Sequence, residues 1–212
     1  MRLVLIGLLL FSVSQSIADV AINFKQDSWK EIKLGKSEPN SYQFGNQLKI
    51  IVKKSSSPIV YKFDEVQEFS ELQFEASVDG VMNPNAKTTA FEEDSFLQFG
   101  FVVVGDNQLG AMGKLFAPKW VSEIFALAPE GMGLDKIYFY NVATKKESVN
   151  QERQSPKSKY MFERIILTKD DLGKTVSYTL LKKLKTTALW INAEGESTDS
   201  EFTTTINKIV LK

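Results

Sequence analysis

Residues 72–79 read Leu72-Gln73-Phe74-Glu75-Ala76-Ser77-Val78-Asp79, and their strict alternation decides the fold class. In an extended chain successive side chains point to opposite faces, so Leu72, Phe74, Ala76 and Val78 share one face while Gln73, Glu75, Ser77 and Asp79 share the other. Such a strand has one side in a core and one in water. The same period of two recurs outward from this segment. Leu48 to Lys53 and Ile59 to Phe63 read as two arms of a hairpin, with Lys54-Ser55-Ser56-Ser57-Pro58 as its turn. Phe96 to Val104 is apolar throughout except Gln98 and Gly100 and reads as a central strand, ended by Gly105-Asp106-Asn107. Ile137 to Val142, Tyr160 to Leu167, Thr187 to Ala193 and Thr203 to Leu211 complete the set. At least eight strands with few helical stretches predict an all-β chain, an antiparallel two-sheet jelly-roll β-sandwich with a short helical insertion.

That insertion runs from Leu109 to Leu127, where Leu109, Met112, Leu115, Phe116, Trp120, Ile124, Phe125 and Leu127 recur at three- and four-residue spacing. Pro118 divides it into two short helices, the second starting near the proline. It reads either as a cap over an open end of the sandwich or as a lid or partner-binding element. Tyr178 to Lys185 fits a short helix or an irregular strand equally well.

The first eighteen residues, MRLVLIGLLLFSVSQSIA, have the pattern of a cleavable secretory signal peptide: Arg2, an apolar run from Leu3 to Phe11, then Ser16-Ile17-Ala18 before Asp19. The apolar run is too short to span a bilayer. No cysteine follows, so no lipoprotein anchor is expected. The expectation is a protein exported to a periplasm or secreted, with residues 19–212 forming one domain. Lys plus Arg and Asp plus Glu both number 26, and a near-neutral chain has no electrostatic reason to seek nucleic acid. Cysteine and histidine are both absent. That removes Ser-His-Asp and Cys-His nucleophile pairs, an imidazole base and any Cys or His zinc site.

Two stretches read as loops. Gly80 to Asp94 contains Asn83-Pro84-Asn85 and Glu92-Glu93-Asp94. Thr144 to Lys159 carries five basic and two acidic side chains and almost nothing apolar. It reads either as a contact for polyanionic glycans or as a solvated hairpin tip.

The order of several motifs resembles a known family. Leu72 to Asp79, Asp94-Ser95-Phe96-Leu97, Ile137-Tyr138-Phe139-Tyr140, Phe162-Glu163-Arg164-Ile165-Ile166, Trp190 to Thr198 and Ile206-Asn207-Lys208-Ile209 together look like the bacterial domain of unknown function 3047. The resemblance implies an exported jelly roll of the galactose-binding-like type and assigns no activity. The chain departs from that pattern at Phe74 to Ser77, where the family tends to carry tryptophans and basic residues. It also has Glu194-Gly195-Glu196-Ser197-Thr198 where an Asp-x-Asp-x-Thr signature is usual.

The richest polar constellation lies on the penultimate strand. If Leu189 and Ile191 face the core, Trp190, Asn192 and Glu194 face the other way, with Glu196 following. On a concave face Trp190 would stack on a sugar ring while Asn192 and Glu194 bind its hydroxyls, with Tyr138, Tyr140, Gln73, Glu75 and Gln98 lining the same surface. The alternative is a tryptophan packed under a loop beside an ordinary wet sheet face. Asn192, Glu194, Glu196 and Asp199 are also hard oxygen ligands of the kind calcium takes, which makes a structural calcium the one cofactor to consider. Glu75 with Glu194 is the carboxylate pair to test for glycoside hydrolysis. The expected function is nevertheless non-catalytic binding, of carbohydrate first and of an envelope protein second.

Overall fold

The computed structural model describes residues 19–83, 94–110, 115–155 and 158–212; the expected signal peptide lies outside them. Eleven strands are present among the described residues: β1 (Val20–Ala21), β2 (Trp29–Glu31), β3 (Ser41–Gln43), β4 (Leu48–Lys53), β5 (Ile59–Val81), β6 (Leu97–Gly105), β7 (Gly133–Ala143), β8 (Glu152–Gln154), β9 (Met161–Thr168), β10 (Thr175–Asn192) and β11 (Glu201–Leu211). The chain is all-β as its alternation requires, with one described helix of more than one turn, α1 (Lys119–Phe125). No described helix is long and apolar enough to cross a membrane.

Hydrogen bonds join the strands into a single sheet, ordered β3-β4-β11-β5-β10-β6-β7-β9-β8, with β1 on β11 and β2 on β5. The sheet is mixed. Every pairing is antiparallel except β7 with β9, which run parallel, so the expectation of purely antiparallel strands is corrected at that one place. Between them in sequence, the short β8 runs back antiparallel to β9, so that β9 again takes the direction of β7.

A second correction concerns the expected hairpin of 48–63. β4 and β5 do not pair; β11 lies between them and bonds to both. Its supposed turn is buried: Ser55, Ser56 and Ser57 are almost wholly covered. Serine hydroxyls satisfy backbone groups there, which lets a polar segment cross the interior instead of capping a hairpin in water.

β5 and β10 are far longer than an ordinary strand of five or six residues. Residues 71–75 of β5 pair with 175–179 of β10, and residues 59–62 pair with 188–191, with register shifts between Thr179 and Leu184 and between Thr186 and Ala188. The stretch 178–185 is thus an irregular strand. Such bulges increase local twist and bend the sheet. Through the bend, aromatic residues from its two halves meet: Phe74 of β5 lies 4.7 Å from Phe99 of β6, and Phe96 lies 5.1 Å from Phe202 of β11, ring to ring. These rings belong to the main core with Leu72, Phe101, Tyr138, Tyr140, Leu189 and Ile191. A second core, on the other side of β6, β7 and β10, gathers Val60, Val102, Ile137, Phe139, Ala188 and Trp190. Its cover is α1, which starts directly after Pro118 as expected and presses Ile124, with Trp120 and Phe125 beside it, onto that surface. Thr187 Oγ1 donates to the Leu127 carbonyl at 2.8 Å and ties the helix end to β10. Part of the predicted insertion, residues 111–114, lies outside the described residues.

Candidate functional site

On the second face the strands β10, β6, β7 and β9 stand side by side, and their register lays the side chains out in rungs. The first rung is Ala188, Val102, Ile137 and Met161, wholly apolar, in the region that α1 covers. The next is Trp190, Gly100, Phe139 and Glu163, continued to Arg153 on β8. The third is Asn192, Gln98, Asn141 and Ile165, three amides in a row. The surface therefore grades from aliphatic to aromatic to polar along the strands.

Above the second and third rungs lies a cleft of about 740 Å³. Gln98, Phe139, Asn141, Glu163, Ile165 and Trp190 form its floor, Arg153 and Ser155 one side, and Trp120 and Met161 its apolar end. Asp94, Ser95, Glu194, Glu196 and Ser197, with Ser56 and the 34–37 segment, make the polar rim. Gly100 is required for this floor. A Cβ there would lie 2.7 Å from the Phe139 ring and 3.0 Å from Trp190 Cβ, so only glycine lets the two rings close over β6, 5.7 Å apart and edge to face.

The rim is braced from below by a buried polar network. Asn192 Nδ2 donates to Ser56 Oγ and to Glu194 Oε1, both at 3.2 Å. Asn40 Nδ2 donates to the Ala193 carbonyl at 2.8 Å and also lies 3.4 Å from Asn192 Oδ1. Ser55 Oγ donates to Asn40 Oδ1 at 2.7 Å, and the Tyr42 hydroxyl donates to the Ser57 carbonyl. Burial pushes the Tyr42 phenol up to about 12. Across the rim, Asp94 Oδ2 accepts from both the backbone N–H and the hydroxyl of Thr198, each at 2.7 Å, which pins the 194–199 turn to the segment before β6. Arg153 Nε meets Glu163 Oε2 at 2.7 Å, so the basic side chain at the side of the cleft is charge-paired.

Of the residues expected to bind ligand, Gln98, Trp190 and Glu194 line the cleft, with Glu196 beside them. Trp190 is 2 % exposed and packs edge-on to Phe139, so it is not the open stacking platform expected of it. Asn192 is fully buried beneath the rim, where its amide serves the network. Tyr138 and Tyr140 face the main core, because the phase of β7 is one residue from the expected one: Phe139 and Asn141 sit opposite Gly100 and Gln98. Glu75 and Gln73 lie on the far half of β5, bonded to Asn207 and Ser177, so Glu75 and Glu194 are not a pair across the cleft. The four proposed calcium ligands are divided between the cleft rim, where Glu194 and Glu196 lie, and other partners. Asn192 is engaged in the network, Asp199 turns out to Lys54 Nζ at 3.0 Å, and no cluster of three or more metal-ligating side chains occurs among the described residues.

Arg153, Asn141, Glu163 and Phe139 are cleft residues that the sequence reading did not place there. Phe139 and Asn141 alternate with the two tyrosines and were legible as the opposite face of the same strand. Arg153 belongs to the stretch read as a loop, part of which is the edge strand β8. No protein-family model, curated protein or solved structure matches the chain.

Proposed function

We propose that the protein is an exported, non-catalytic binding module whose ligand is a carbohydrate. In this reading residues 1–18 are removed on export, residues 19–212 act in the periplasm or outside the cell, and the bent sheet is a jelly-roll sandwich of the kind the resemblance to domain of unknown function 3047 implies. One observation carries the proposal: a cleft of about 740 Å³ on a rigid sheet, in the size range of small-molecule sites, with an aromatic and aliphatic end and a floor and rim of amides, hydroxyls and carboxylates. Neutral amides such as Gln98 and Asn141 both donate and accept, as sugar hydroxyls do. A module of this kind binds without the histidine or cysteine chemistry that the chain lacks.

A glycan-array screen of residues 19–212, with calcium and again with chelator, tests it. Retention of a defined glycan, weakened by Gln98→Leu and indifferent to chelator, is the expected result. Retention of no glycan overturns the reading and turns attention to an envelope protein partner, sought by pull-down from periplasmic extract.

A further inference from the structure

A second pocket lies beside the cleft, between α1 and the sheet. The helix supplies Trp120, Ile124 and Phe125 to its walls, and the sheet supplies Leu134, Ile137 and Met161. Phe125 stands edge to face with Tyr160, 6.1 Å ring to ring, and this pair forms one side. Asp135, Lys136 and Ser158 border the pocket, yet the surface it exposes is almost wholly apolar. Lys136 Nζ donates instead to Gln154 Oε1 at 3.2 Å. An ordered water needs about two to four polar partners, and apolar cavities stay dry, so this space suits an apolar occupant. Its volume is about 50 Å³. One water takes about 10–15 Å³ on that scale, so the pocket admits about three to five non-hydrogen atoms.

The pocket and the cleft are neighbours. Trp120, Ser158 and Met161 border both. On β7 Ile137 borders the pocket and Phe139 the cleft, consecutive residues on one face of the strand and so roughly 7 Å apart. Two compartments of opposite polarity, one rung apart, match a ligand with a polar body and a short apolar tail. Building on the carbohydrate reading, we propose that the ligand is a saccharide bearing an aliphatic chain of about four carbons, with the saccharide in the cleft and the chain in this pocket. The polar rim then sets which saccharide is accepted, and the walls from α1 and the sheet set the length of the chain. The same division explains why the rungs grade from apolar to polar along the strands: the gradient of the floor follows that of the ligand.

The test is calorimetry on residues 19–212 with 1-butanol and with the methyl, butyl and hexyl glycosides of glucose and of galactose. Each buried methylene is worth about fourfold in affinity, so a butyl glycoside is expected to bind at least about tenfold more tightly than its methyl counterpart. Lengthening the chain to hexyl should add less than about twofold, because the pocket is full at about four carbons. Val121→Phe, which adds a ring to the helix wall of the pocket, should cut the butyl gain to about twofold or less while glycan-array retention stays unchanged. Gln98→Leu, on the cleft floor, should weaken methyl and butyl glycosides alike and keep their ratio. A butyl glycoside that binds no more tightly than the methyl one overturns the pocket assignment and leaves array retention standing as carbohydrate binding. A gain that continues undiminished to hexyl places the chain on an open surface and overturns it as well. Butyl glycosides that bind no better than 1-butanol separate the pocket from the cleft and overturn the two-part ligand. Retention of no glycan on the array overturns the saccharide half, and the proposal with it.

Discussion

The two faces of β6, β7 and β10 are both covered, yet they are built on opposite plans. On the main-core face Phe99, Phe101, Tyr138, Tyr140, Leu189 and Ile191 interlock with rings from the other half of the sheet, with Phe74 against Phe99 and Phe69 against Phe101. On the second face the same strands present Trp190, Gly100, Phe139, Gln98, Asn141 and Asn192, covered by one short helix at one end and open as a cleft at the other. The first face shows how stability is gained by area removed from water and close packing. The second shows that burial alone does not make a core. Its amides are held in place by hydrogen bonds whose value lies in positioning.

This contrast predicts where a substitution acts on stability and where on the rim. Phe99→Ala, on the core face, should lower unfolding free energy by about 3–5 kcal/mol in denaturant titration, since a fully buried ring is lost and a void opens beside Phe74. A loss below about 1 kcal/mol would mean that this face collapses freely and is not the packed half of the comparison. At the rim, Asp94→Ala removes two short bonds to Thr198 and should cost about 1.5–3 kcal/mol, with loosening confined to residues 194–199 in hydrogen exchange. Loosening that spreads into β6 and β10 would break the distinction between a positioned rim and a packed core.

The smallest effect concerns two phenols that pack on the main core, one of them tied into the network beneath the rim. Tyr42, in the rim network, and Tyr140, in the core, are both pushed up to about 12 from the ordinary value of 10.0, chiefly by burial. A raised phenol favours the neutral form in the folded state. Its contribution is therefore complete below pH 10 and is lost as pH rises toward about 12. Tyr42→Phe should cost about 1 kcal/mol at neutral pH for the bond to the Ser57 carbonyl. It should also remove part of the alkaline slope, leaving the part due to Tyr140. An unchanged slope in unfolding measurements between pH 9 and 12 would show that Tyr42 is not held neutral by its site.

Much of the strand inventory was legible because alternation is a local property. The segments read as strands at 48–53, 96–104, 137–142, 160–167 and 203–211 fall on β4, β6, β7, β9 and β11. The helix after Pro118 was legible for the same reason, from the spacing of Trp120, Ile124 and Phe125. The errors fall where a residue's role depends on chain distant in sequence. Ser55 to Ser57 have turn composition and are buried because Asn40 and Asn192 meet them from other segments. Tyr138 and Tyr140 can serve either face of a strand covered on both, and periodicity does not reveal which face is which when both are buried. The cleft was legible in part, through Gln98, Trp190, Glu194 and Glu196, because the pleat ties every second residue on one strand to one face.

What the sequence by itself determined is therefore the all-β character, the positions of most strands and the set of side chains that travel together on each. These follow from steric and hydrophobic rules acting over a few residues. Only the tertiary structure decided that β11 lies between β4 and β5, that β7 and β9 run parallel, and that Trp190 is enclosed beside Phe139 while Asn141 and Arg153 join it in one cleft. Those outcomes depend on which strands pair and in which register, a choice made by the packing energy of the whole sheet.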